Sequence, residues 1–480
     1  ECIETAHIFE HSGLIDFFNG NYGRMDTLLG LAVDNMPGMA SPIAPWLQSV
    51  GAFKREVRLP VFHAARITDI ATARYAIQEG LLDMVAMTRA HIADPQLVNK
   101  LADGREREIR PCVGATHCMS PQRPVCIHNA ATGRELKMPQ QVKRSDGAIR
   151  NVVVVGGGPA GLEATRVLGE RGHKVTLFEA SPKLGGQILI GTQASWRGDL
   201  AGVIDWRASE IERLGAEVHT SVFVEAEDVL SRNADIVIIA TGGTPDLDWL
   251  DGVEHSTSAW SFLTGSAPVG GSVLVYDGTG RHPALQCAER AVSSGADTGL
   301  VSIDGEMAAE LTYAERAIWK QRIYELEVDM TFDHRLTRIE KSGNRLIATF
   351  INEATGRLKM HTADQIVGQA ACLNWTVGLT AKDMVGTQCS AVLGLAPQDD
   401  EWRCGKHMAG VWFETEEDSA AHQEAMDVVP YGQYKGLAVS PLVSGRLNPP
   451  DICLIYATPA QMILLVNGLQ WSGYQKMSWG

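Results

Sequence analysis

One stretch of thirty residues limits the folds open to this chain more than any other: NVVVVGGGPAGLEATRVLGERGHKVTLFEA, residues 151–180. Its four valines make a strand that is apolar on both faces, as buried parallel strands are. Gly156, Gly158 and Gly161 follow directly and lead into a helical pattern; a second apolar strand then ends on Glu179, about twenty residues on. Gly156 permits the tight turn, Gly158 lets backbone N–H groups approach a pyrophosphate, and Gly161 permits close helix–strand packing. The helix N-terminus, opened by Pro159 and Ala160, supplies positive potential, and the Glu179 carboxylate can accept hydrogen bonds from a ribose diol. The alternative is a packing loop in a Rossmann fold without a ligand. Because strand, loop, helix, second strand and acid all fall in order, the pattern predicts a bound adenine dinucleotide.

The chain has 480 residues, 45% of them hydrophobic, with a formal net charge of -15. That length allows two to four domains with their own cores. The acidic balance, without any basic run, argues against nucleic acid and against a charged membrane surface as partner. No run is apolar for long enough to span a bilayer, and no leader-like segment opens the chain. Nine cysteines in so long a chain fit a reducing cytoplasm better than a secreted disulfide scaffold.

Ahead of the glycine loop, residues 1–109 read as parallel βα units: strands at Ile15–Gly23, Leu59–Ile67 and Asp83–Arg89, with a helix from Ile67 to Gly80. Residues 110–150 hold Cys112, Cys118 and Cys126 in a segment rich in turn formers, followed by a polar linker. These cysteines can be metal ligands, a disulfide with one thiol left over, or buried structural residues. Residues 151–268 carry the glycine loop. Residues 269–365 repeat a strand–turn–helix–strand unit with the partial loop Tyr276-Asp277-Gly278-Thr279-Gly280-Arg281-His282-Pro283, in which Pro283 stands where a third small residue belongs. Binding of NAD(P) there and a purely structural role are both open. Residues 322–351 alternate like a short meander, and residues 366–480 have no counterpart upstream.

The order of parts resembles the old-yellow-enzyme-like flavoproteins with an iron–sulfur centre, a family that includes trimethylamine dehydrogenase, 2,4-dienoyl-CoA reductase and the dimethylglycine and N-methylproline demethylases. The likeness covers roughly Cys2 to Gln365 and is strongest in FHAARITDIATARYAIQEGLLDMVAMTRAHIADP, RPCVGATHC, VCIHNAATGRE and the glycine-loop stretch. HAARI, CVGA and CIHNAATGRE look most like the demethylase branch. The resemblance implies an α/β chain: the C-terminal part of a (β/α)8 FMN barrel, then Rossmann-like FAD and nested NAD(P)-like domains, followed here by an α+β C-terminal domain.

By the same resemblance, Ala65-Arg66 and Thr88-Arg89 lie at the ends of the last two barrel strands and grip the FMN phosphate; a surface ion pair is the other reading of either arginine. Gly186 and Gln187, and Thr241 and Gly242 in ATGG, match a flavin-binding pattern and favour FAD (or ADP) at the first loop. Cys112, Cys118 and Cys126 match three of the four cluster cysteines, with Ala115 at the remaining position and His117 and His128 within sequence reach. No catalytic residue is assigned; Asn21, Tyr22 and Arg24 follow a strand end, where Tyr22 reads as packing.

The implied function is oxidative N-demethylation of a small methylated amine, with electrons passed from FMN to the iron–sulfur centre and on to an electron-transfer flavoprotein or another carrier. The first alternative is an NAD(P)H-dependent ene or dienoyl reductase. Oligomerisation with copies of itself also follows from the family. After Ile366 no segment reads as completing the flavin fold; the tail resembles an unrelated, uncharacterised domain family, and Cys372, Cys389, Cys404, Trp375, Trp402 and Trp471 read as its core. A start inside a barrel, an unfinished flavin domain and a foreign tail imply a broken or chimeric reading frame, and so a third reading: a non-catalytic cofactor-binding fragment.

Overall fold

A computed structural model describes residues 1–119, 124–136, 138–245, 250–369, 373–374, 437–441 and 451–457. The three cysteines and three tryptophans named in the tail lie outside the described residues.

The N-terminal part has three short parallel strands in the order Phe18–Gly20, Val61–His63, Met84–Val85. Helices Leu47–Glu56 and Ile70–Gln78 cover them, the second capped by the Asp69 side chain, which accepts from Thr72 N–H at 2.8 Å. The strand expected over Asp83–Arg89 is shorter. After Val85 the chain turns, and Thr88 opens a helix, Thr88–Ala93, because Ala90 and Ala93 must be buried on one face, a helical spacing.

The glycine-loop unit forms a six-stranded sheet in the order Leu437–Pro441, Asp451–Ala457, Ile236–Ile239, Asn151–Val155, Lys174–Phe178, Glu217–His219. All pairs are parallel except the outermost, between Leu437–Pro441 and Asp451–Ala457. Although no segment after Ile366 reads as completing the flavin fold, strands from that part of the chain join this sheet. Asp451–Ala457 extends it beside Ile236–Ile239, a long-range pairing that local sequence pattern does not announce. Strand Asn151–Val155 lies centrally, with its two chain continuations on opposite sides, so the C-terminal strand ends open a crevice at a topological switch point.

A second parallel sheet runs Asp329–Thr331, Asp297–Ser302, Ser272–Asp277, Gln365–Gln369, Ser256–Ser258. An antiparallel meander forms later than the expected 322–351, from His334–Ser342, Arg345–Asn352 and Leu358–Ala363, because the first residues of that range close helix Tyr313–Glu325 and Asp329–Thr331 joins the parallel sheet; its inward Leu336, Ile339, Ala348 and Phe350 share a core with Leu274 and Tyr276. Among the described residues no helix is long and apolar enough to cross a membrane.

The cysteine segment joins the N-terminal part to the first Rossmann-like unit. Cys112 packs against the N-terminal core of Val50, Val61 and Leu97, whereas Val113 and Ala115 enter the core of Val154, Leu162 and Ile204. Helix Pro159–Glu170 is covered on both sides, by its sheet and by helix Ala201–Arg213, so its charged residues are buried and need partners. Glu163 receives Arg166 Nη2 at 2.5 Å and Arg207 Nε at 2.9 Å. Arg207 in turn donates to Val203 O at 2.9 Å and faces His128 Nδ1 at 3.4 Å, while Arg110 stacks over Trp206 at 4.8 Å. Burial opposes ionisation of Glu163, but Arg166 and Arg207 outweigh it and hold its carboxyl at about 2.

Removing Glu163 leaves two buried guanidinium groups without this partner. Glu163→Ala is expected to cost about 3–5 kcal/mol, read as a lowered denaturation midpoint. Glu353→Ala, in the exposed pair with Arg335, should cost less than about 1 kcal/mol. Because the Glu163 carboxyl is held below its unfolded value, its contribution is full above about pH 5 and fades as pH falls toward 2. The difference between parent and Glu163→Ala should shrink across that window.

Candidate functional site

At the C-terminal ends of the first sheet the glycines divide into two kinds. A Cβ on Gly161 would lie 1.8 Å from Gly156 O, and one on Gly156, where φ is +107°, would lie 2.3 Å from Ala240 O. These two glycines let helix, loop and neighbouring strand touch. Gly158 differs: a Cβ there meets nothing within 4 Å, and its φ of -71° suits any residue. The backbone at Gly158 thus faces an open cradle at the positive end of a twelve-residue helix. Glu179, almost fully buried, accepts from Gly157 N–H at 2.6 Å through one oxygen and from Ser181 N–H at 2.7 Å through the other, which fixes the carboxylate beside the loop. Gly186, at φ +51°, lies over Gly158, and Gln187 Nε2 donates to Gly243 O at 3.1 Å. Pro159, Ala160, Gly186, Gln187, Thr241 and Gly242 therefore border one crevice with the glycine loop. The open cradle, the amide donors and the acid fit the diphosphate and ribose of an adenine dinucleotide.

The residues of the N-terminal part are arranged differently. Ala65 and Arg66 have φ of +109° and +51°, so Ala65 adopts a backbone that favours glycine. The Arg66 guanidinium is buried, donating to Met39 O at 3.0 Å and to Asp199 Oδ2 at 2.5 Å. Arg89 donates to Pro37 O at 2.9 Å. Asp199 was not foreseen; its only signal would have been an acid in the loop before helix Ala201–Arg213. Tyr22 is packing, stacked on Trp46 with its hydroxyl donating to Ser49 O at 3.3 Å. His63, also unforeseen, is fully buried and engages Gly20 O at 2.7 Å through Nδ1.

Cys112, Cys118 and Cys126 come near enough to influence one another's ionisation. Burial pushes the Cys118 thiol up to about 11, with Cys112 adding to the effect, and burial likewise raises Cys112 against the nearby Arg89 and Arg66. Ala115 is buried where a fourth cysteine would complete the family pattern. Among the described residues no group of three or more His, Cys, Asp or Glu side chains is placed to hold a metal ion. Four thiolates are the usual need of an iron–sulfur cluster, and ligation requires them deprotonated. The segment supplies three of the four cysteines of the family pattern, with Ala115 at the remaining position. His128 faces Arg207 through Nδ1 and packs edge-on to Trp206, burial keeps its imidazole neutral, and its buried Nε2 has no hydrogen-bond partner among the described residues. His117 Nε2 lies 3.7 Å from Glu315.

The family model described as pyridine nucleotide-disulphide oxidoreductase matches residues 101–263 and 150–395, and one described as uncharacterised ArCR matches residues 341–479. The chain is 48% identical over 375 residues to the multifunctional alkene reductase/demethylase OYE of Caballeronia cordobensis, covering 78% of this chain and 55% of that protein. It is 43% identical over 373 residues to the probable N-methylproline demethylase of Rhizobium meliloti (strain 1021), covering 76% and 55%. Histamine dehydrogenase from Rhizobium sp. 4-9 superposes with a TM-score of 0.68 at 24% identity, over 77% of this chain and 55% of that one, a likeness of fold. The chain spans about half the length of the curated relatives it matches.

Gly158→Ala tests the cradle without disturbing the fold. It should leave the thermal midpoint unchanged while weakening FAD binding at least about tenfold, because the methyl group stands where a phosphate must approach. Gly161→Ala should instead destabilise the protein by about 1–3 kcal/mol or more, since helix and strand must separate. Equal effects from the two substitutions would contradict the assignment.

Proposed function

The chain belongs to the pyridine nucleotide-disulphide oxidoreductase family, and from that premise we propose that it is the nucleotide-binding portion of a flavin-dependent oxidoreductase that removes an N-methyl group from a small amine. The observation that carries this reading is the open cradle at Gly158, flanked by Glu179 and the start of helix Pro159–Glu170. The relatives named for demethylation and the resemblance of HAARI and CIHNAATGRE to the demethylase branch support the substrate class. A bound flavin would supply the hydride acceptor that oxidation of the N-methyl carbon needs, and hydrolysis of the product by water would give formaldehyde and the demethylated amine.

The chain's own residues position and bind. Amide groups around Gly158 and the positive helix end hold the diphosphate of FAD or ADP, and the fixed carboxylate of Glu179 receives ribose hydroxyls. Gln187, Thr241 and Gly242 close the crevice over the nucleotide. In the barrel part, the turns at Ala65-Arg66 and Thr88-Arg89 are the proposed seat of the FMN phosphate. Their arginine side chains are already engaged with Asp199, Met39 O and Pro37 O, so backbone N–H groups are the donors offered there. An external redox carrier, such as an electron-transfer flavoprotein, takes the electrons; no step is assigned to the three cysteines.

Flavin-loaded chain supplied with N-methylproline or dimethylglycine and an artificial electron acceptor should release formaldehyde in proportion to acceptor reduced. Colorimetric formaldehyde determination alongside acceptor bleaching reads this directly. Reduction of an activated alkene at the expense of NADH, with no formaldehyde from any N-methylated amine, would replace this reading with the reductase one.

A further inference from the structure

The second Rossmann-like unit has the strand, loop and helix of a nucleotide site, but the loop's donors are turned inward. In the first unit the acid stands at the end of the second strand and the space before Gly158 is open. In the second, Asp277 ends the first strand, Ser272–Asp277, and its fully buried side chain folds back into the loop that follows. Its Oδ1 accepts from Thr279 N–H at 3.0 Å, from Gly280 N–H at 2.9 Å and from the Thr279 hydroxyl at 3.1 Å. Two amides that such a loop would direct at a phosphate are thereby taken by a carboxylate of the chain. Burial raises the acid to about 6 against these hydrogen bonds, so it is largely ionised at neutral pH.

The surroundings close the same space. At Gly280, φ +62°, a Cβ would lie 2.6 Å from Asp304 Oδ2 and 3.2 Å from Glu310 N, in contrast to the emptiness at Gly158. Pro283, in the first turn of helix His282–Ser293, removes one of the amides that helix could offer. His282 is held by Trp319 Nε1, which donates to Nδ1 at 2.9 Å, and its Nε2 faces Glu315 at 3.4 Å. Arg281, the remaining cation at the turn, faces Glu310 at 3.9 Å. A dinucleotide diphosphate would meet carboxylates where it needs amides and cations.

The helix has a different task. Gln286 Nε2 donates to Gly191 O at 3.0 Å, and Glu289 accepts from Ser195 N–H at 3.0 Å, from its hydroxyl at 2.5 Å and from Arg322 Nε at 2.7 Å. These contacts hold the segment that follows Gln187 in the first unit.

We infer that Asp277 occupies the place of a dinucleotide phosphate in the second unit, which is therefore an architectural domain. This inference does not rest on the demethylase reading.

The test is isothermal calorimetry of the full chain, pre-saturated with FAD so that the first loop is filled, titrated with NADH and with NADPH. No saturable heat up to about 1 mM is expected. Saturable binding below that concentration, undiminished by excess FAD, would overturn the inference. Binding that excess FAD abolishes belongs to the first loop and leaves the inference supported. The heat of NADH binding needs no turnover, so loss of the demethylase reading and loss of this one are separately visible.

Discussion

The contact between Gly161 and the carbonyl of Gly156 is the constraint on which the rest of the site depends. With no Cβ at 161, the helix start rests directly on the strand end, and a larger side chain would collide at 1.8 Å. That approach aims the first amides of the helix at the crevice. It also leaves the Gly158 backbone uncovered, and the Gly157 amide anchors the carboxylate that a ribose would meet. One short turn thus converts a packing requirement into a place for a charged ligand.

Around this turn, buried charge fixes how the parts sit together. The cysteine segment contributes to two cores at once, and its His128 and Arg110 meet Arg207 and Trp206 of helix Ala201–Arg213, which packs on the helix that carries the glycine loop. Glu163 balances the guanidinium groups there, a pairing that is costly to break and that gives the junction one geometry. Arg66 makes a second link, from a turn of the N-terminal part to Asp199. Positions that resemble cofactor contacts in the family thus serve here as joints between units.

The sequence was informative where chemistry is local. The valine strand, the glycine spacing, Glu179 and the alternating meander are all set by residues close in the chain, and each forms. The i,i+3 pair of Glu163 and Arg166 was visible in principle, but its third member, Arg207, lies on another helix. Arg66 and Asp199 are 133 positions apart, and nothing in either neighbourhood points to the other. Asp277 illustrates a subtler limit. Pro283 already marked the second loop as irregular, yet only the side-chain direction shows that the loop is filled from within. The three cysteines match a cluster pattern in spacing, but Ala115 stands at the position of the fourth.

Whether the first loop holds an adenine nucleotide diphosphate is read by equilibrium titration of the full chain with FAD, followed by flavin fluorescence and repeated in the presence of ADP. Saturable uptake of one FAD per chain, displaced competitively by ADP, is expected. Unchanged fluorescence across the titration, with the chain folded, would mean that the loop holds no such ligand.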